Sequence, residues 1–349
     1  MTLLNSKISG ESLSEITDKA ISLVLEEGEE NSSRNGSVTY LNNVIVELKN
    51  PLSRHLNLNG RNNNIYATIG ELFWVMSGTD RINPFLSFFL PRAADYSDDG
   101  VTWRGGYGPR IYMDEQLENA IKVFKEDGLD TRRSLISIYD SGLDSGVRSK
   151  DIPCNNLIHF LVGSDGKLNM NVVSRSSDVI WGLFGINIAE WTFLQEYVAQ
   201  KVGVPVGVYT HFTSNLHIYD ATGKQAVNVY ENHQEYICEN DQEYSGSVAD
   251  RSCIFPEEGV QEFFTELIGA YSKTIEGVFP TSMTDTVIER IFKDYKVTME
   301  DNTLYDYANL ISYYISGKKG DYLTSFDARD FHPELLSCIE ASKFTSFNK

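Results

Sequence analysis

Cys154 lies in the run Ile152-Pro153-Cys154-Asn155-Asn156, at the entrance to an apolar, strand-like stretch, Leu157 to Val162. Twenty-one residues later comes Arg175-Ser176-Ser177-Asp178, then Asn187, then His217-Ile218-Tyr219. A thiolate is a strong nucleophile, an arginine beside a hydroxyl is a good phosphate grip, and an amide can read a polar edge. The set outlines an enzyme with a nucleophile beside an anion site, acting on a phosphate-bearing substrate. Upstream, Glu71 interrupts the apolar segment ATIGELFWVM, Ala67 to Met76. A carboxylate there is either exposed on a polar face or buried with a shifted pKa, and the buried case suits a general acid or base. Each residue also has an inert reading. A lone cysteine is more often a structural thiol, Arg132-Arg133 reads as a solvated loop, and His159 reads as a satisfied core histidine. Arg175 is harder to dismiss, because it ends an alternating strand and sits beside Ser176 and Asp178. No metal-ligand spacing, Ser/His/Asp set or dinucleotide fingerprint is present.

The elements that must position these residues follow from periodicity. Leu13 to Glu26 is amphipathic at helical spacing, with Ser12 or Ser14 as cap. Ser37 to Leu48 alternates as a strand, and Ala67 to Met76 is an apolar helix. Asp95 to Gly108 is a Gly- and Asp-rich loop. Glu115 to Asp127 is a helix and Ser134 to Tyr139 a short strand. Leu157 to Val162 and Leu168 to Val173 flank Gly163-Ser164-Asp165-Gly166-Lys167, a hairpin signal. Ile186 to Lys201 reads as a long helix and Val206 to Tyr219 as a strand, which puts His217 and Tyr219 on one face. Beyond residue 254 four helical stretches follow, near 260–276, 283–295, 302–316 and 333–343.

The formal net charge of −19 argues against a polymeric nucleic-acid partner, which calls for a basic surface. A single nucleotide needs only a few arginines. No apolar run approaches a membrane-spanning length, and residues 1–30 carry no secretory pattern. The 4 cysteines are widely spaced, so free thiols in a reducing cytoplasm are expected.

Read together, Pro153-Cys154, Arg175-Ser-Ser-Asp178-Val-Ile-Trp-Gly182-Leu, Asn187-Ile-Ala and His217-Ile-Tyr219 resemble the thymidylate synthase and pyrimidine-nucleotide hydroxymethylase superfamily. Arg34-Asn-Gly-Ser-Val-Thr39, Glu71-Leu-Phe-Trp74, Gly106-Tyr107-Gly108 and Thr131-Arg132-Arg133 fall in the same order, so the resemblance covers roughly residues 30–230. It implies that Cys154 adds to C6 of a pyrimidine and makes C5 a nucleophile toward the methylene of 5,10-methylenetetrahydrofolate. It further implies that Glu71 manages protons through ordered water and that Tyr107 assists loss of the C5 proton, with Asn155 following the nucleophile. Arg34, Arg175 and Ser176 would hold the 5′-phosphate, with Arg132 and Arg133 reaching it from the second subunit of an obligate homodimer. His217 and Tyr219 would meet the sugar, Asn187 the base, and Asp178 the folate ring. No metal is implied.

The chain departs from the thymidylate synthase pattern in four ways. Asn155 stands where a histidine is usual. The loop Gly182 to Asn187 is one residue longer. The tryptophan that shields the exocyclic methylene has no clear match, although Trp103 lies in the same loop. The short aliphatic tail that closes over the folate is replaced by an acidic helical extension. Lost shielding favours capture by water over hydride transfer, hence a 5-hydroxymethyl product ahead of a 5-methyl one. Asparagine at 187 suits uracil, so dUMP is the expected substrate. Thymidylate synthesis proper and a catalytically silent nucleotide-binding relative are the alternatives. The expected fold is α/β (α+β): a mixed sheet with helices on one face and the dimer contact on the other. The expected layout is an N-terminal helical segment over 1–30, a catalytic domain over 31–253, and a helical C-terminal extension over 254–349 that forms a subdomain or lid.

Overall fold

The computed structural model describes residues 7–33, 36–239, 252–320 and 333–342. Its strands are β1 (Lys7–Gly10), β2 (Glu29–Ser33), β3 (Gly36–Leu48), β4 (Leu135–Ser137), β5 (Asn155–Val162), β6 (Leu168–Ser174), β7 (Ser177–Asp178) and β8 (Val206–Tyr219). They form one mixed sheet in the order β1-β3-β8-β6-β5-β4, with β2 paired to β3 and β7 to β8. The pairs β5–β6 and β3–β8 are antiparallel, whereas β6–β8 and β1–β3 are parallel. Strand β1 lies in the polar start of the chain, where periodicity gave no strand. Four residues are too few to show alternation, and β1 exists by pairing with β3.

The helices are α1 (Leu13–Glu27), α2 (Ile65–Met76), α3 (Phe85–Phe89), α4 (Tyr107–Tyr112), α5 (Gln116–Asp127), α6 (Ser141–Asp144), α7 (Ile188–Val202), α8 (Asp220–Glu239), α9 (Val260–Ile275), α10 (Thr281–Asp294), α11 (Thr303–Lys319) and α12 (Pro333–Ala341). Ser12, not Ser14, caps α1, its Oγ accepting from the Glu15 N–H at 3.2 Å. α8 was not foreseen. The stretch 206–219 reads clearly as β8, but the polar run after it carries little periodic signal.

Helices cover one face of the sheet. There the inward side chains Val44, Val46, Ile158, Phe160, Met170, Val172 and Tyr209 are fully buried. α2 is buried along its whole length, because α3, α7, α9 and α11 all pack around it. A helix apolar on every side can persist only in such a position. The chain just ahead of the C-terminal helices is tied to α7 beside a buried ion pair: Arg54 Nη2 donates to Glu196 Oε2 at 2.5 Å, while Glu196 Oε1 accepts from the Cys253 N–H at 2.7 Å.

The other sheet face is open among the described residues. Leu157 pairs with Val173, Val173 with Phe212 and Phe212 with Ile45, so one apolar row crosses four strands. All four side chains are half-buried or exposed. His159 also points to this face and its Nε2 meets the Arg132 carbonyl at 3.1 Å. The core reading of His159 is therefore corrected. An apolar strand can hide a residue on either face, and periodicity alone does not say which face is covered.

Candidate active site

The hairpin β5–β6 explains how residues far apart in sequence become neighbours. Cys154 immediately precedes β5 and Arg175 immediately follows β6, so antiparallel pairing brings the two strand ends together. The Arg175 N–H donates to the Cys154 carbonyl at 3.0 Å. The guanidinium then folds back along the same segment. Its Nε donates to the Pro153 carbonyl at 3.1 Å and its Nη2 to the Ile152 carbonyl at 2.9 Å. Nη2 also lies 3.5 Å from Cys154 Sγ, which sets a permanent cation beside the sulfur. Cys154 is half-buried and carries no disulfide. Ser176 is half-buried beside it in sequence.

A register shift between Asn155 and Leu157 gives the strand a bulge at its entrance. Strict alternation would put both residues on one face. The bulge instead turns Asn155 inward, 2% exposed, while Leu157 stays on the open face. Asn155 Nδ2 there donates to the Tyr107 hydroxyl at 2.6 Å. Tyr107 opens α4, which approaches α2 very closely. A Cβ at Gly108 would stand 2.8 Å from the Val75 carbonyl, and one at Gly106 would stand 2.9 Å from the Trp74 ring. Glycine on both sides of Tyr107 is what lets this residue reach the site. Its ring packs on Trp191, centroids 4.9 Å apart. Burial pushes its phenol well above the usual range, and the nearby Cys154 and Glu190 add to the shift.

Glu71 on α2 is buried and its Oε2 has no hydrogen-bond partner. The buried alternative of the sequence reading is therefore the correct one. Burial, then Glu190, then Asp151 raise its carboxyl well above the ordinary range. Glu190, in the first turn of α7, is 3% exposed and was not among the expected residues. Burial pushes it up to about 7, opposed by the hydrogen bond from Asn187. The charge of Glu190 bears on Glu71, so protonation of the two carboxyls is linked. Asp151 is half-buried, accepts from the Gly105 N–H at 2.8 Å and is also raised, chiefly by burial. Glu190 could have been found by the same signal that marked Glu71, a carboxylate inside an apolar run.

Between β7 and α7 the chain makes a π-helical turn, Val179–Asn187. Its wider i→i+5 winding takes up one more residue than an α-turn, which absorbs the extra residue noted in this loop. Asp178 caps the turn, accepting from the N–H groups of Ile180 at 3.1 Å and Trp181 at 2.9 Å. At the far end Asn187 Nδ2 donates to Glu190 Oε2 at 2.9 Å. Pairing of β7 with β8 sets Asp178 opposite His217. Burial raises Asp178 and lowers His217, each partly offset by the other. The His217 and Tyr219 rings meet edge-on, centroids 4.7 Å apart. Trp181 is 52% exposed, with the Arg61 guanidinium 5.8 Å from its ring centroid. Beneath the site His211, fully buried, meets Ser174 Oγ at 2.9 Å and the Tyr209 hydroxyl at 2.8 Å, and burial lowers it to about 3.

The structure thus gathers Cys154, Arg175, Tyr107, Asn155 and Glu71 at one end of the hairpin, with Asp178, Asn187, His217 and Tyr219 along the adjoining turn and β8. Arg132 and Arg133 do not join that cluster within the chain. They are exposed at the edge of the open sheet face, Arg133 paired with Asp127 at 2.7 Å. Arg34 lies outside the described residues. Trp103 is half-buried. Its Nε1 donates to the Ala93 carbonyl at 2.8 Å and its ring packs edge-on against Trp74. Among the described residues no cluster of His, Cys, Asp or Glu could hold a metal ion, and no helix is long and apolar enough to cross a membrane.

The sequence profile described as thymidylate synthase matches residues 18–239, a span that contains every residue of this cluster. The chain belongs to the thymidylate synthase family. Within this family of one-carbon transferases it is 38% identical over 311 residues to a deoxyuridylate hydroxymethyltransferase of Delftia phage PhiW-14, covering 86% of this chain and 85% of the relative. It is 36% identical over 198 residues to a protein of the same name from Pseudomonas phage M6, covering 56% of each. A thymidylate synthase of Corynebacterium aurimucosum is 29% identical over 207 residues, covering 56% of this chain and 75% of the relative. The family's mixed sheet with packed helices is the fold seen here.

Proposed function

We propose that this protein transfers a one-carbon unit from 5,10-methylenetetrahydrofolate to C5 of dUMP and releases 5-hydroxymethyl-dUMP. The carrying observation is the convergence of a cysteine, a guanidinium 3.5 Å from its sulfur, a buried phenol–amide pair and a buried carboxylate on one hairpin end. Cys154 forms the bond to C6 and shifts electron density to C5. Tyr107, held by Asn155, assists loss of the C5 proton by orienting the water that takes it. Glu71, kept protonated by burial and by Glu190, is placed to donate to the carbonyl at C4. Arg175 and Ser176 hold the phosphate with Arg34, and His217 and Tyr219 hold the sugar.

The folate supplies the methylene, water supplies the hydroxyl, and tetrahydrofolate leaves. Trp181, an exposed indole beside the Asp178 carboxylate, suits a flat heteroaromatic ring with N–H groups. Hydroxymethylation is favoured over methylation because the tryptophan that shields the methylene in the thymidylate synthase pattern has no match in this chain. The names of the phage relatives agree with this choice.

The same reading includes a homodimer in the cytoplasm, where the nucleophilic thiol stays reduced. The open row Leu157, Val173, Phe212 and Ile45 supports the dimer, since an apolar sheet face needs cover. Arg132 and Arg133 at its edge are placed to reach the phosphate site of a second subunit.

The test is product analysis by mass spectrometry with methylenetetrahydrofolate and dUMP, dCMP or CMP. A 5-hydroxymethyl-dUMP product with tetrahydrofolate is expected. A 5-methyl product with dihydrofolate would assign thymidylate synthesis, and no product from any nucleotide would leave a binding protein.

A further inference from the structure

Glu190 enters the chemistry described so far only through its effect on Glu71, yet it is almost wholly buried at the N-terminal turn of α7, with Oε1 unpartnered. Its other oxygen, Oε2, accepts from Asn187 Nδ2 at 2.9 Å. An asparagine amide is symmetric in shape and opposite in polarity at its two ends. Left alone, it can turn over and present acceptor-then-donor or donor-then-acceptor to a ligand. Uracil offers a donor at N3 and an acceptor at O4, whereas cytosine offers an acceptor at N3 and a donor at N4. A freely turning Asn187 would serve both bases.

An ionised carboxylate only accepts hydrogen bonds. It therefore binds the NH2 end of Asn187 and repels the carbonyl end. The α7 N-terminus, with its partial positive charge, favours the ionised form. Oδ1 is then turned to the other side, toward Gly182 on the π-helical turn; it lies 3.8 Å from where a Gly182 Cβ would stand. One N–H of Asn187 is spent on Glu190, and the second remains for a ligand.

We propose that Glu190 is a positioning residue for base selection: by holding the Asn187 amide in one orientation it makes the site read uracil and refuse cytosine. The inference rests on the proposed function, in which Asn187 reads the base. It has a consequence in pH. A protonated Glu190 can donate to the carbonyl end of a turned-over Asn187, so the hold is lost as pH falls below about 7. The titratable groups facing Glu190 are Glu71 from α2, Tyr107 from α4 and Tyr209 from β8, with Asp151 near Glu71. Of these only carboxyls titrate in the acid range, and protonation of Glu71 is linked to that of Glu190.

The test is Glu190→Gln in the full-length protein, an isosteric change whose amide pairs with either orientation of Asn187. The ratio of kcat/KM for dUMP to that for dCMP is measured from pH 6 to pH 8.5, together with equilibrium binding of each nucleotide without folate. In the unaltered protein the ratio should rise with pH and level off above about 7. In the variant it should be lower by about tenfold or more and flat in pH, and Glu190→Asp should restore part of it. If the unaltered protein prefers dUMP and the variant keeps the same ratio and pH profile, the positioning role is overturned while the proposed function stands. If the unaltered protein binds neither nucleotide, both are overturned together. Binding is decisive even if the variant turns over slowly, because amide orientation acts on the nucleotide complex itself.

Discussion

Replacing Glu190 by Gln should also change how the stability of the fold depends on pH. In an unfolded chain a glutamate loses its proton near pH 4.5; in the fold Glu190 holds it to about 7. Between those values the folded state binds a proton that the unfolded state has released, so stability falls as pH rises. The contribution is fully present below the unfolded pKa and is lost by the time pH passes the folded one. At 1.36 kcal/mol per unit, the gap corresponds to about 3 kcal/mol in full, most of which develops between pH 5 and pH 8.5. Asp151 and Asp178 carry shifts of the same sign, but they are present in both proteins and largely cancel in the difference; Glu71, which Glu190 raises, shifts down in the variant and adds to the variant's gain as pH rises. Gln keeps an acceptor for Asn187 Nδ2 and directs an N–H toward the unpartnered side of the pair, so little packing changes. Urea unfolding of both proteins at fixed protomer concentration, from pH 5 to pH 8.5, measures the difference. The variant should gain roughly 2–3 kcal/mol on the unaltered protein across that range. Parallel curves, or a variant that loses ground as pH rises, would show that Glu190 is not held as a buried, charge-strained carboxyl.

Three further outcomes follow from the site. Cys154→Ala should abolish turnover and the covalent adduct with 5-fluoro-dUMP, seen by intact-protein mass spectrometry, while dUMP binding by calorimetry stays within a few-fold; retained turnover would rule out Cys154 as nucleophile. Tyr107→Phe removes the hydroxyl that accepts from Asn155 and should lower kcat by about 100-fold or more with KM little changed, as steady-state kinetics would report. Phe212→Glu puts a charge in the apolar row of the open sheet face and should convert a dimer to monomers by light scattering. It should also weaken dUMP binding, since Arg132 and Arg133 would no longer reach a second subunit; an unchanged dimer would place the interface elsewhere.

Local pattern in the sequence was enough for the long elements. Alternation marked β3 and β8, helical spacing marked α1, α2 and the helices after residue 254, and the turn Gly163-Ser164-Asp165-Gly166 marked the β5–β6 hairpin. These signals are legible because they repeat within a few residues and depend on no distant partner. The candidate thiol, the arginine beside it and the carboxylate on α2 stood out too, since a thiol after proline, an arginine ending a strand and a lone Glu in an apolar run each break a local pattern. Strands β1 and β7 are too short to carry a pattern and exist only through pairing. The same holds for which sheet face is covered, which sent His159 outward rather than into the core. The bulge that turns Asn155 inward, the glycine-lined approach that delivers Tyr107 and the π-helical turn that aims Asn187 are decisions of packing between elements. Glu190 shows the division most clearly: its letter was in plain view, but only the meeting of α2 with α7 and the reach of Asn187 across one helical turn give it a neighbour to charge and an amide to hold.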